Sequence, residues 1–206
     1  KNQQKSEAET LNSFLEIAVS ESDRMTRIVQ DLLVLSQLDN NRTRWNVTEY
    51  NLNDSVNRVC EVMRVDANTH SHMLSFVPDE SVDNITADKD RIEQVIINII
   101  SNSVKYCPDG GKIAISTKNL GKTVRITIKD NGIGIPDEDL GHLFERFYRV
   151  EKSRTSETGG TGLGLAIAKE LVNAHGGTIR IKSKLGEGTE VIIELPKKTE
   201  LVSTED

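Results

Sequence analysis

The chain of 206 residues carries a net charge of −6, with 36% hydrophobic and 28% charged residues and four prolines. That composition excludes a disordered chain, and the acidic balance argues against a non-specific nucleic-acid surface, which needs a basic excess gathered on one face. Cys60 and Cys107 stand alone, without disulfide or metal-ligand spacing, and the longest apolar run, Val95 to Ile100, is broken by Asn98 and far below the ~20 residues of a membrane span.

The first forty residues contain no Gly or Pro, and apolar side chains recur at Leu11, Phe14, Ala18, Met25, Ile28, Leu32 and Leu35, interrupted by Glu21. Steps of three and four make this a heptad seam, so the segment is expected to be a bundle or coiled-coil helix; the alternative is an amphipathic helix packed on its own domain. Asp39, Asn40 and Asn41 stop it, and a second domain is expected from residue 42 to 198, with 199–206 a polar tail. Asn53 or Asp54 would cap a helix to Asn68, β-like runs follow at Leu74 to Val77 and Ile85 to Ala87, and Asp88 caps a helix to Tyr106. Pro108 to Gly111 turns into a strand from Lys112 to Thr117, paired as a hairpin with Val124 to Lys129. A helix from Thr161 to His175 precedes strands Thr178 to Ser183 and Glu190 to Leu195. The expected class is α+β, a two-layer sandwich with helices on one face of a mixed sheet, preceded by one long helix.

Four segments carry chemistry. On the helix from Asp88 to Tyr106, Gln94, Asn98, Asn102 and Lys105 or Tyr106 fall on one face among isoleucines, a polar stripe where oxygen ligands could converge, or else buried amides bonding to backbone. Asp130 closes a strand just before Gly132, Gly134 and Ile135, placing a carboxylate that can accept from an amino group beside close-approach glycines; a plain turn explains it nearly as well. Gly159, Gly160, Gly162 and Gly164, interleaved with Thr161, Leu163 and Leu165, precede a helix whose free N–H groups suit a phosphate. Between these glycine segments, Arg146, Arg149, Lys152 and Arg154 follow or flank Phe144, Phe147 and Tyr148; they can meet phosphate oxygens or form a solvated helix.

The order of these segments resembles the N, G1, F, G2 and G3 boxes of the histidine-kinase branch of the gyrase-type ATPase superfamily, from Gln94 to Thr189. Arg24 to Ser36 also resembles the second helix of that family's dimerisation hairpin, and Phe144 to Arg154 with Gly164 to Gly177 are similar to the cell-wall-homeostasis kinases of Gram-positive bacteria. The resemblance implies a catalytic ATP-binding domain after one helix of a dimerisation hairpin. It implies ATP and Mg²⁺ as cofactors, with Asn102 and nearby Asn98 holding the metal and Asp130 accepting from the adenine amino group. Lys105 and Tyr106 would flank phosphates and base, Gly132, Gly134 and Ile135 would wall the adenine pocket, and Gly160, Thr161, Gly162, Leu163, Gly164 and Leu165 would cradle phosphates. Thr189 would support the base, Arg146 and Arg149 would reach the γ-phosphate, and Tyr148 and Lys152 would add lid contacts between Pro136 and Gly160.

The implied partners are a cognate response regulator and a second copy through the dimerisation bundle, with no nucleic acid. The implied location is the cytoplasmic portion of a membrane-anchored bacterial sensor, the anchor lying outside this sequence. No histidine among His70, His72, His142 and His175 sits in a phospho-acceptor box, so self-phosphorylation is not expected and the acceptor is expected upstream. One rival is a gyrase-like ATPase, which would place Glu one turn before the metal-binding Asn; Asn98 stands there, and an amide cannot take the proton of an attacking water. The other rival is a non-enzymatic nucleotide-binding module.

Overall fold

The computed structural model describes residues 2–40, 43–150, 160–199 and 201, with side chains from residue 14 on, residue 16 excepted. Helix α1 (Asn2–Asp39) leads into strand β1 (Val47–Asn51) and helix α2 (Leu52–Thr69), then β2 (Met73–Val77), β3 (Asn84–Asp88) and helix α3 (Lys89–Tyr106). Strands β4 (Lys112–Asn119) and β5 (Thr123–Asp130), short helix α4 (Asp137–Leu140), helix α5 (Gly164–Ala174) and strands β6 (Thr178–Lys184) and β7 (Gly188–Pro196) complete it.

Period-two patterning builds the main sheet, ordered β2-β4-β5-β7-β6 and antiparallel except where β2 runs parallel to β4. Ile113, Ile115, Ile126, Ile128, Val191 and Ile193 point inward and are buried, while Ala114, Thr127 and Ile192 between them point outward and are at least partly exposed. Helices α2, α3 and α5 cover the inner side, so the α+β sandwich is as expected. Alongside it lies a second sheet that the sequence reading does not contain: β1 pairs antiparallel with β3, Val47 opposite Asp88 and Asn51 opposite Asn84. This pair closes the entrances of two helices. The Asn51 side chain accepts from Asp54 N at 3.1 Å to cap α2, so the cap precedes the expected Asn53 or Asp54. Asp88 caps α3 as expected, accepting from Arg91 N at 3.2 Å.

Two buried histidines tie elements together. His72 donates from Nε2 to Val104 O at 3.0 Å and accepts from Gly111 N at 3.2 Å, joining the start of β2 to α3 and the approach to β4. His175, fully buried, donates from Nδ1 to Leu171 O at 2.7 Å and accepts from Asp88 N at 3.2 Å on Nε2, with the Trp45 ring edge-on to it at 5.3 Å. A backbone N–H can only donate, so the Asp88 bond fixes His175 as the neutral Nδ1–H tautomer. Cys60 is buried on the core side of α2.

Helix α1 ends at Asp39, where Asn40 turns back to bond Ser36 O at 2.7 Å. Its seam is bare over most of its described length: Phe14 is 66% exposed, Met25 65% and Leu32 42%. Among the described residues its last turns pack on the rest of the chain, with Leu35 buried and Val34 and Leu38 against the core. Helix α5 begins at Gly164 and not at Thr161, because the residues before it take a turn with Gly162 at φ +73°. Thr199 bonds through its N–H to Thr86 O at 2.9 Å, so the expected polar tail is tied down at its first residue; of its remainder only Leu201 is among the described residues.

Candidate functional site

Where β5 ends, Asp130 is nearly buried and its carboxylate collects three donors. Gly132 N and Thr189 N reach Oδ1 at 2.9 and 3.0 Å, and the Ser103 hydroxyl reaches Oδ2 at 2.8 Å. These bonds join β5, the loop after it, the start of β7 and α3 around one anion, with its position over-determined. Ser183 braces the same corner: its Oγ accepts from Ile135 N at 2.9 Å and lies 2.8 Å from Gly188 O. The loop carrying Gly132 to Ile135 is pressed flat against its neighbours. A Cβ at Gly132 would stand 2.7 Å from Tyr106 O, and one at Gly134, whose φ is +68°, would stand 2.0 Å from Lys184 O. No side chain fits at either position.

Helix α3 presents its polar stripe toward this corner. Asn98 Nδ2 donates to Gly164 O at 3.0 Å, pinning the start of α5 to α3 and leaving Asn98 Oδ1 without a hydrogen bond among the described residues. Asn102 is half-buried, and its amide makes no hydrogen bond among the described residues. Tyr106 O accepts from Ile133 N at 3.1 Å, and Lys105 Nζ stands 4.8 Å from the Tyr106 ring centroid. Cys107, at the C-cap of α3, is buried with Sγ 3.4 Å from Asn131 Oδ1. Burial raises the pKa of its thiol, and the nearby Asp130 charge raises it further.

The glycine-rich turn enters α5 with no side-chain cap, so the N–H groups of its first turn are unspent by any side chain. Thr161 Oγ1 accepts from Leu163 N at 3.2 Å and donates to Asp31 of α1 at 3.1 Å. Burial raises the Asp31 pKa, and the Thr161 bond partly offsets it. Phe147, itself at φ +64°, donates N–H to Gly162 O at 3.0 Å. The chain before residue 151 and the glycine-rich turn therefore meet.

The expected site residues divide into three groups. Asp130, Gly132, Gly134, Ile135, Thr189, Lys105 and Tyr106 converge at one corner, and Asn98, Leu163, Gly164 and Leu165 join α3 to the start of α5. Arg146 and Tyr148 point elsewhere: the Arg146 guanidinium grips Asp39 of α1 through two bonds of 2.6 and 2.8 Å, and the Tyr148 hydroxyl bonds Asp139. Arg149 is half-buried beside them, Gly160 is partly buried before the turn, and Lys152 lies outside the described residues, as do Arg154 and Gly159. Sequence reasoning missed Ser103, Ser183, Asp31 and Asp39. Ser103 carried a signal, a hydroxyl directly after Asn102 on the same helix; the other three are recognised only through the partners the fold brings to them.

A family profile described as Histidine kinase-, DNA gyrase B-, and HSP90-like ATPase matches residues 87–199, the whole stretch from the cap of α3 to the end of β7. The chain belongs to this ATPase family. Sensor histidine kinase WalK of Bacillus subtilis (strain 168) is 41% identical over 189 residues, covering 91% of the chain; the chain spans 31% of that relative's length. Among solved structures, full-length ShkA in complex with AMPPNP superposes with a TM-score of 0.76 at 25% identity, covering 88% of this chain and 37% of that one. Histidine kinase ThkA in complex with the response regulator protein TrrA superposes at 0.72 with 26% identity, covering 91% of this chain and 52% of that one. Both superpositions cover more of the chain than all the residues that follow α1, so at least part of α1 is shared with these two kinases.

Proposed function

We propose that the chain is the ATP-binding catalytic domain of a sensor histidine kinase, which transfers the γ-phosphoryl group of ATP to a histidine outside this sequence for relay to a response-regulator aspartate. The observation that carries the choice of reaction within the family is Asn98. One turn before Asn102, it offers an amide whose nitrogen is committed to Gly164 O, so that position has no base to activate water, and hydrolysis is disfavoured against transfer to an acceptor protein.

In this reading Asp130 accepts from the adenine amino group, held in place by Gly132, Thr189 and Ser103. Ile135 and the glycine loop wall the base, Tyr106 and Lys105 flank base and phosphates, and the turn from Gly160 to Leu165 offers N–H groups to phosphate oxygens. Asn102, whose amide is uncommitted among the described residues, and Asn98 through its Oδ1 are hard-oxygen donors that fit Mg²⁺, which neutralises phosphate charge when bound. Arg146 and Arg149, with Lys152, supply the cations for the γ-phosphate. The remaining partners are the response regulator and a second copy joined through the bare seam of α1. No helix among the described residues is long and apolar enough to cross a membrane, and we place the chain on the cytoplasmic side of a sensor anchored elsewhere.

The test is incubation with γ-labelled ATP and Mg²⁺, alone and with a separate protein carrying the acceptor helix. Acid-labile, base-stable label is expected on the acceptor protein alone. Label on neither would favour the non-enzymatic nucleotide-binding module, and label on this chain would contradict the assignment of the acceptor to another segment.

A further inference from the structure

The sheet has one face covered by helices and one open to solvent, and the open face is charged in a way that the acidic chain as a whole conceals. Lys112 and Lys118 on β4, Arg125 and Lys129 on β5, and Arg180 and Lys182 on β6 all alternate with more buried neighbours and so point outward. Only two carboxylates share that face, Glu190 and Glu194 of β7. Glu194 is taken by Arg125 at 2.7 Å and Arg180 at 3.6 Å, and Glu190 lies in register between Lys129 and Lys182. Lys112, Lys118, Lys129 and Lys182 make no ion pair among the described residues. In a chain of net charge −6, cations have thus been sorted onto one side.

The same face has an apolar margin. On edge strand β2, Met73 is 62% and Val77 64% exposed, and Met73 lies in register beside Lys112. Between the cations the outward residues are Ala114, Ser116 and Thr127, which are small, and Ile192, which is partly exposed beside Thr127 and Arg180, so the middle of the face carries no charge that would repel an anionic partner. Five strands about 4.8 Å apart make this surface about 20 Å wide.

We propose that this outer sheet face docks on an anionic lipid bilayer, lysines and arginines meeting headgroup phosphates and Met73 and Val77 entering the acyl boundary. Charge complementarity demands an anionic partner, and the apolar margin selects among anions. A bilayer has a hydrocarbon layer directly beneath its charge, and cations combined with exposed apolar side chains are what interfacial binding uses. Single-stranded nucleic acid would call for aromatic stacking platforms, and no aromatic side chain points outward from these five strands.

The experiment is co-sedimentation of the 206-residue chain with vesicles of phosphatidylcholine alone and of equal parts phosphatidylcholine and phosphatidylglycerol, at low and at physiological salt. Binding only to the anionic vesicles, weakened by salt, is expected. The double variant Lys129→Gln, Lys182→Gln should bind at least about tenfold more weakly. The control Arg58→Gln, Arg64→Gln removes the same charge from exposed positions on α2 and should bind like the parent. Met73→Ser with Val77→Ser should also weaken vesicle binding several-fold while leaving retention on heparin unchanged. Unaltered thermal melting in each variant keeps the comparison to docking. Absence of binding to the anionic vesicles, or equal losses in the two charge variants, overturns the proposal. So does a Met73 and Val77 variant that binds vesicles undiminished, since the face would then be serving a soluble polyanion such as an acidic protein or nucleic acid.

Discussion

Asp130 anchors structure, and in the proposed function the same carboxylate reads the nucleotide. Its three donors come from three separate elements, so Asp130→Ala would strand two backbone N–H groups and a hydroxyl and confuse lost affinity with lost folding. Asp130→Asn is the cleaner probe: its carbonyl can still accept from Gly132 and Thr189, and its amide can donate to Ser103. An amide nitrogen facing the adenine amino group is a donor against a donor, and ATP affinity should fall by about 1.5–3 kcal/mol in calorimetry while thermal melting changes little. Asn102 permits a complementary measurement. Asn102→Ala should remove the enhancement of ATP binding by Mg²⁺, because a methyl group offers a hard cation no oxygen; equal enhancement in parent and variant would remove Asn102 from the metal site. These candidates could be picked out from sequence because their signals are local: a carboxylate before close-set glycines, and amides one turn apart on a helix that also carries five isoleucines. Ser183 was not, since a serine on an alternating strand declares nothing until Ile135 and Gly188 are seen beside it.

Between elements, the decisive contacts are those from α1 to the flanks of residues 151–159. Asp39 holds Arg146 and Asp31 holds Thr161, so one helix grips both the expected lid between Pro136 and Gly160 and the glycine-rich turn that follows it. The guanidinium keeps the Asp39 carboxyl below its ordinary pKa, so the pair stays ionised at neutral pH. A guanidinium spent on a carboxylate is withheld from a phosphate. Asp39→Ala should therefore tighten ATP binding by a few-fold, in keeping with the modest strength of an exposed ion pair; unchanged affinity would mean that Arg146 does not serve the nucleotide. His175 links α5 to the cap of α3 and carries a pH dependence of known sign. Burial lowers its folded-state pKa below the unfolded value of about 6.5, so unfolding takes up a proton below that pH. The stability it contributes is complete above about pH 6.5 and lost as pH falls further. Thermal melting followed from about pH 7 to pH 5 should drop less steeply in His175→Gln than in the parent. Strand β1 and the Asp39–Arg146 pair were hidden from sequence reading for a common reason: each depends on a partner chosen over long range, and Val47 to Asn51 becomes a strand only beside β3.

At the scale of the whole molecule, the charge count concealed more than it revealed. A net −6 suggested no basic surface, yet strand alternation gathers cations on one side of the sheet, because period two sends every second residue outward regardless of the average. The sandwich itself was readable, since alternation and helical periodicity each name their own element; the added two-stranded sheet and the later start of α5 were not, being set by Asn51, Gly162 and their neighbours.

The two buried thiols divide the molecule into compartments that can be timed separately. Cys60 sits under α2, away from the nucleotide corner, and burial pushes its pKa up to about 11; Cys107 sits beside Asn131 at the foot of the proposed base pocket. Each can be alkylated only when its surroundings open, so the two reaction rates are stopwatches on two different breathing motions. A ligand stabilises the regions whose opening would release it. Saturating ATP and Mg²⁺ should therefore slow alkylation at Cys107 far more than at Cys60, as read by mass spectrometry of quenched time points. Equal slowing would mean that the molecule opens only as a single cooperative body.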